Sequence, residues 1–151
     1  MNEDAPKYGH GYIYLGGQDI VNEPLATYAL QSRILLIRRG LPLHSLNYFL
    51  KKSKLNRQEL ANILQISPRT MQRYSDGHML PSPVSEKLLR LNDLYQQAED
   101  VLGGGPENIT AWLRSEIPAL GDQHPLDLLD TYEGLDIVIN VLGRLEWGVA
   151  S

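Results

Sequence analysis

The chain has 151 residues, 42% of them hydrophobic, a formal net charge of −4 and no cysteine. That apolar content suffices for a packed core, and the lack of thiols excludes disulfides, cysteine-ligated zinc and cysteine nucleophiles. No run of about 18 apolar residues marks a membrane span, and the first residues lack the basic start and apolar core of a signal peptide, so a cytoplasmic protein is expected.

The charge is unevenly placed. Residues 1–40 carry four basic and four acidic side chains, residues 41–102 eight and six, and residues 103–151 two and eight. Within 44–90 the balance is eight basic to three acidic, the local excess that contact with phosphates requires. Residues 1–23 are rich in Gly, Tyr and polar side chains. Tyr8, His10, Tyr12 and Tyr14 alternate, which fits either a short strand or a loose tail. A helix is expected over 25–39, with Leu30, Ile34 and Ile37 on one side, ending at Gly40-Leu41-Pro42. A second is expected over 43–53, with Leu46, Phe49 and Leu50 inward and Lys51, Lys52 and Lys54 outward.

Residues 56–77 read as a helix-turn-helix. Asn56 is a good N-cap with Glu59 at capping-box spacing, and Leu60, Ala61, Ile63 and Leu64 give the first helix one apolar face. Gln65 and Ile66 form the turn. Ser67 caps the second helix, and Pro68 takes its first position, where no N–H is needed. Gly77 and Pro81 end the motif. The second helix displays Arg69, Thr70, Gln72 and Arg73, with Met71 directed to the core. Arg grips guanine O6 and N7 in a bidentate way and Gln does the same with adenine. Ser67 sets backbone N–H groups against a phosphate, and Thr70 either contacts phosphate or packs. Lys51, Lys52, Lys54 and Arg57 add nonspecific attraction. The alternative is a helix-turn-helix that serves only as a platform for protein contact. A helical reader of this type acts through two-fold symmetry, so a homodimer is expected, with the helices over 25–39 and 83–102 as candidate dimer surfaces.

A long helix follows over 83–102, with Val84, Leu88, Leu91, Leu94, Tyr95 and Ala98 apolar. Gly103-Gly104-Gly105-Pro106 is a breaker and the candidate domain boundary. Three short helical pieces are expected at 108–115, 125–131 and 132–147. The resulting division is a tail over 1–24, a helical region over 25–102 and a C-terminal module over 103–151, in an all-α fold. His10, His44, His78 and His124 are scattered without metal-ligand spacing, and no Gly loop has the context of a phosphate cradle. No enzyme, metal or cofactor is therefore expected.

Four blocks in order carry a resemblance: RRGLPLHSLNYFL (38–50), LQISPRTMQRYSDGHMLPSPVSEKLLRL (64–91), EDVLGG with ENITAWL (99–113), and HPLDLLDTYEGLDIVINVLGRLEWGVAS (124–151). With these, the chain from about residue 41 onward resembles the Xre/MbcA/ParS antitoxins, partners of RES-domain toxins in type II toxin–antitoxin systems. The resemblance implies an Xre-like helix-turn-helix DNA-binding domain followed by a small helical toxin-binding domain. It further implies an antitoxin that holds an NAD-degrading toxin inactive, with its C-terminal segment at the mouth of the toxin's active site. Many such proteins also bind operator DNA and repress their own operon, as dimers or as antitoxin–toxin complexes. On this reading Arg144, Glu146, Trp147, Gly148, Val149 and Ser151 meet the toxin, with Trp147 as an aromatic anchor and Gly148 turning the chain out of the helix. Trp147 stands where the family pattern has a smaller aromatic. Asp122, Asp127, Asp130, Glu133 and Asp136 form an acidic surface suited to a basic NAD-binding mouth, and Gly121 and Gly134 are expected to serve turns. The residues alone leave two alternatives open: a self-packed terminal helix with Trp147 in its own core, and a stand-alone regulator whose C-terminal module only dimerises.

Overall fold

The computed structural model describes residues 29–75 and 77–148, with side chains from residue 33 onward. The tail over 1–24 with its alternating tyrosines, the start of the first expected helix, Val149 and Ser151 lie outside the described residues. Among the described residues the chain is all-α. Its helices are α1 (Ala29–Arg39), α2 (Leu43–Ser53), α3 (Arg57–Leu64), α4 (Pro68–Arg73), α5 (Ser82–Leu102), α6 (Gly105–Leu113), α7 (Pro125–Leu128) and α8 (Tyr132–Glu146), with a 3-10 turn at Pro118–Leu120. None is long and apolar enough to cross a membrane.

α5 is the spine. Its 21 residues extend about 30 Å at 1.5 Å per residue, and it touches α1, α2 and α3 as well as α6 and α8. Leu88, Leu89, Leu91, Leu94, Tyr95 and Ala98 are fully buried, so most of its circumference is core, as expected of a helix surrounded by others. One hydrophobic cluster runs from Leu36 on α1 to Leu142 on α8 and includes Phe49, Leu60, Ile63, Met71, Ile109 and Leu135. The described residues before and after the Gly103-Gly104-Gly105 run therefore share one core. Phe49 meets Tyr95 edge to face at 5.4 Å between ring centroids. The Thr110 hydroxyl donates to the Ser53 carbonyl. It is therefore the acceptor in its 2.7 Å bond with the Tyr95 hydroxyl, which leaves these buried polar groups satisfied.

Local chemistry sets the ends. Gly40 has φ +89, and a Cβ there would stand 2.2 Å from the Leu80 carbonyl oxygen. Both left-handed geometry and lack of a side chain are needed where Leu80 donates to Leu41 at 2.7 Å. α6 begins at Gly105, ahead of the expected start at residue 108, because Pro106 in the first turn starts a helix without loss of a hydrogen bond. α7 stops at Leu128, short of residue 131, because Thr131 is the N-cap of α8 and its hydroxyl accepts from Gly134 N at 2.9 Å.

Two expectations about α1 and α8 need correction. On α1 the buried side chain is Leu36, while Ile34, grouped by sequence with Leu30 and Ile37 on one apolar side, is 47% exposed. The Arg33–Asp93 ion pair to α5 and the packing of Leu36 fix the rotation of α1, overriding its own apolar spacing. Gly134 serves no turn. It lies in the first turn of α8 with ordinary helical φ, and its role is close approach to α7. Gly121, with φ +67, does take the left-handed turn conformation expected of it.

Lys87 of α5 is only 4% exposed. Its Nζ lies 4.5 Å over the Tyr132 ring of α8, with no carboxylate in ion-pair reach among the described residues. Burial lowers its pKa from the usual lysine value, against the opposing pull of Asp130, so the fold disfavours the charged form on balance. Between the folded and unfolded pKa the unfolded chain binds more protons, so stability rises with pH there. Lys87→Met is expected to stabilise the fold by about 1 kcal/mol, the scale of a typical point mutation, and to remove this alkaline rise. Denaturant melts at neutral and alkaline pH measure both effects.

Candidate functional site

The helix-turn-helix is built by caps. The Asn56 side chain accepts from Glu59 N at 2.8 Å and the Glu59 carboxylate accepts from Asn56 N at 2.8 Å, a complete capping box at the start of α3. Gln65 ends α3 in the left-handed region, φ 57, and makes the tight turn. The Ser67 hydroxyl caps α4 by accepting from Thr70 N at 3.0 Å and bonds the Thr70 hydroxyl at 2.9 Å. The Thr70 side chain is thereby half-buried and tied to its own helix start. Met71 turns into the core, which fixes the opposite face outward. That outward face carries Arg69, Gln72 and Arg73, all exposed, and neither arginine forms an ion pair among the described residues. Two unneutralised guanidinium groups and an amide on one exposed helical face suit base edges and phosphates. Tyr74 packs against the core below them, where burial raises its pKa.

At the other end of the chain, α8 leaves Ile137, Leu145 and Trp147 exposed, Trp147 at 81%. Trp147 is thus outside any core, against the self-packed alternative. Gly148 follows with φ +67 and turns the chain out of the helix as expected. Arg144 and Glu146 are exposed beside it. Ile137 and Leu145 were not singled out by sequence. Their spacing on α8 reads as core until the structure shows that Leu135, Val138 and Leu142 occupy the inner face. Of the acidic residues, Asp122, Asp127, Asp130 and Glu133 are exposed and unpaired among the described residues. Asp136 instead pairs with Arg90 of α5. Asp127 and Asp130 face Glu59, Asn62 and Gln65 across a groove of about 300 Å³ between α3 and α7.

The two surfaces are joined by an ion pair that spans 55 residues. Arg114, after α6, donates from Nε and Nη2 to the two Glu59 carboxylate oxygens, each at 2.9 Å. The same carboxylate closes the capping box, so the start of the helix-turn-helix is held by the C-terminal module. The Arg114 bond, with the Asn56 N–H, holds the Glu59 pKa below its ordinary value of 4.5. A depressed carboxylate pKa gives stability that is present above 4.5 and lost as pH falls through the folded value. Arg114→Ala is expected to cost about 1 kcal/mol at neutral pH, discounted for solvent screening. Its stability curve should converge with that of the original chain in acid, and urea titrations from pH 3 to 7 measure the difference.

Comparison with known proteins finds a match for each of the two halves of the chain. The antitoxin Xre-like helix-turn-helix domain matches residues 32–93, and the antitoxin Xre/MbcA/ParS C-terminal toxin-binding domain matches residues 97–148. The chain is 30% identical over 125 residues to the Prs ADP-ribosylating antitoxin of Sphingobium sp. (strain YBL2), covering 77% of this chain and 79% of that protein. It is 26% identical over 117 residues to antitoxin Xre of Photorhabdus laumondii, with the same coverage. It is also 35% identical over 82 residues to antitoxin Xre of Yersinia enterocolitica, covering 54% of this chain and 55% of that one. With the helix-turn-helix domain matched over 32–93, the toxin-binding domain over 97–148 and a 30% identical antitoxin aligned over 77% of it, the chain belongs to the Xre/MbcA/ParS family of antitoxins.

Proposed function

We propose that this antitoxin neutralises a cognate RES-domain toxin that degrades NAD, by seating its C-terminal segment in the mouth of the toxin's active site. The observation that carries this reading is Trp147, 81% exposed at the end of α8 and inside the region matched by the toxin-binding domain. A bulky aromatic side chain held open to water at a helix end is the kind of anchor that fills a concave partner site. Arg144, Glu146 and Gly148 flank it, with Val149 and Ser151 continuing the segment. The unpaired acidic residues complement a mouth that must hold the phosphates of NAD. The name of the Sphingobium relative refers to ADP-ribosylation, a chemistry that also draws on NAD.

The same protein, as a homodimer alone or with its toxin, binds operator DNA and represses its own operon. Arg69, Gln72 and Arg73 read or grip the duplex, and Ser67 and Thr70 hold the start of α4 against a phosphate. Two experiments test the halves separately. Intracellular NAD and growth are followed with the adjacent toxin expressed alone, with the full chain, and with a chain ending at Leu145. The full chain restores both and the shortened chain does not. A well-expressed full chain that leaves NAD depleted refutes the pairing. For DNA, an Arg69→Glu, Arg73→Glu double variant loses binding to the upstream duplex, and unchanged binding removes the assignment of α4.

A further inference from the structure

A groove of about 540 Å³ lies between α2 and the start of α6, lined by Tyr48, Lys51, Lys52, Lys54, Pro106 and Glu107. Tyr48, Lys51 and Lys52 share one face of α2 at i, i+3 and i+4. Lys51 and Lys52 are exposed and in no ion pair among the described residues. Lys54 reaches Glu107 only at 3.8 Å. Tyr48 presents its ring at 41% exposure. We propose that this groove holds the sugar–phosphate backbone of the DNA duplex beside the bases faced by α4, so that the C-terminal module forms one wall of the DNA-binding surface. The inference rests on the DNA-binding reading given above.

Position and charge argue for it. Lys54 is the C-cap of α2 and stands two residues before Asn56, the N-cap of α3. When the second helix of a helix-turn-helix enters the major groove, the first crosses the backbone. Lys54 therefore stands beside the start of that first helix, and the groove continues from it along the end of α2. Lys51 and Lys52 also complement the C-terminal dipole of α2, but that role calls for neither Lys54 nor an exposed tyrosine opposite α6. Three lysines against one glutamate make a surface for a polyanion, and a toxin mouth built to hold phosphates would be repelled by it. Glu107 is the opposing charge, and it comes from the domain otherwise assigned to toxin contact.

The test uses the full chain and two labelled duplexes, one from upstream of its own coding region and one unrelated of equal length, titrated across a salt series. Lys51→Ala with Lys52→Ala is expected to weaken both duplexes by roughly tenfold at about 0.1 M salt, and to lower the slope of log affinity against log salt by about 2, since each phosphate contact contributes about 0.9. Glu107→Gln is expected to tighten both. The Arg69→Glu, Arg73→Glu variant serves as the comparison for α4. If the lysine variant keeps the affinity and slope of the original chain while the arginine variant loses binding, the groove assignment is overturned and the DNA reading stands. If the original chain binds neither duplex, the DNA reading falls and the groove falls with it. A lysine variant that binds DNA normally but no longer copurifies with the toxin also overturns the proposal, and gives the groove to the toxin.

Discussion

Gly134→Ala is expected to destabilise the protein by about 3 kcal/mol and to disable toxin neutralisation, although alanine is the better helix former by about 1 kcal/mol. The φ of Gly134 is helical, so backbone freedom is not at issue. What matters is space. A Cβ at this position would stand 1.8 Å from the Leu128 carbonyl oxygen and 2.7 Å from its carbon. Both are backbone atoms at the end of α7, so no rotamer change relieves the contact, and α7 must move away from α8. Overpacking of a core costs about 1–3 kcal/mol and occasionally more, and here it must outrun the propensity gain. The shift also disturbs the Thr131 cap and the buried Leu129 and Leu135 on either side. Chemical denaturation checks the stability and the NAD assay checks the function. An alanine variant as stable as the original chain would mean that α7 yields freely and that Gly134 is there for another reason.

The same residue shows what could be read in advance. Short-range features were legible because their causes lie within a few residues: the Asn56–Glu59 capping box, Pro68 after the Ser67 cap, and Met71 inward with Arg69, Gln72 and Arg73 outward. The order of helices and the exposed end of α8 followed from pattern and resemblance. Gly134 was not legible, because a glycine needed for the approach of a second helix looks like one needed for a turn. The outward face of Ile34 was hidden for a related reason, since α5 sets the rotation of α1 through Leu36 and the Arg33–Asp93 pair. Asp136 reads as partner-facing acid until Arg90, 46 residues earlier, is seen to bind it. The Glu59–Arg114 pair spans 55 residues, and nothing in either local sequence asks for the other. Lys87 counts as basic surface by composition, and only the packing of α5 against α8 shows it buried under Tyr132.

Trp147→Ala is expected to weaken toxin binding by about 100-fold, equivalent to roughly 2.7 kcal/mol and within the range of an aromatic hot spot, while leaving stability within about 0.5 kcal/mol of the original. The separation follows from exposure. A side chain 81% open to solvent contributes little burial to the fold, and the helix-ending bond from Trp147 N to Gly143 O at 3.4 Å belongs to the backbone, so alanine keeps it. In the complex the indole would be the largest apolar group that the terminal segment has to offer. Its loss should raise the dissociation rate more than it slows association, because acidic steering by Asp122, Asp127 and Asp130 is untouched. Trp147→Phe should recover a large share of the affinity if the toxin pocket accepts the smaller aromatic that the family pattern carries there. Surface plasmon resonance with immobilised toxin resolves the rates, and thermal melts of the free antitoxin supply the control. An alanine variant with unaltered affinity and unaltered stability would detach the tail from neutralisation and move the toxin contact up α8, to the exposed face at Ile137 and Leu145.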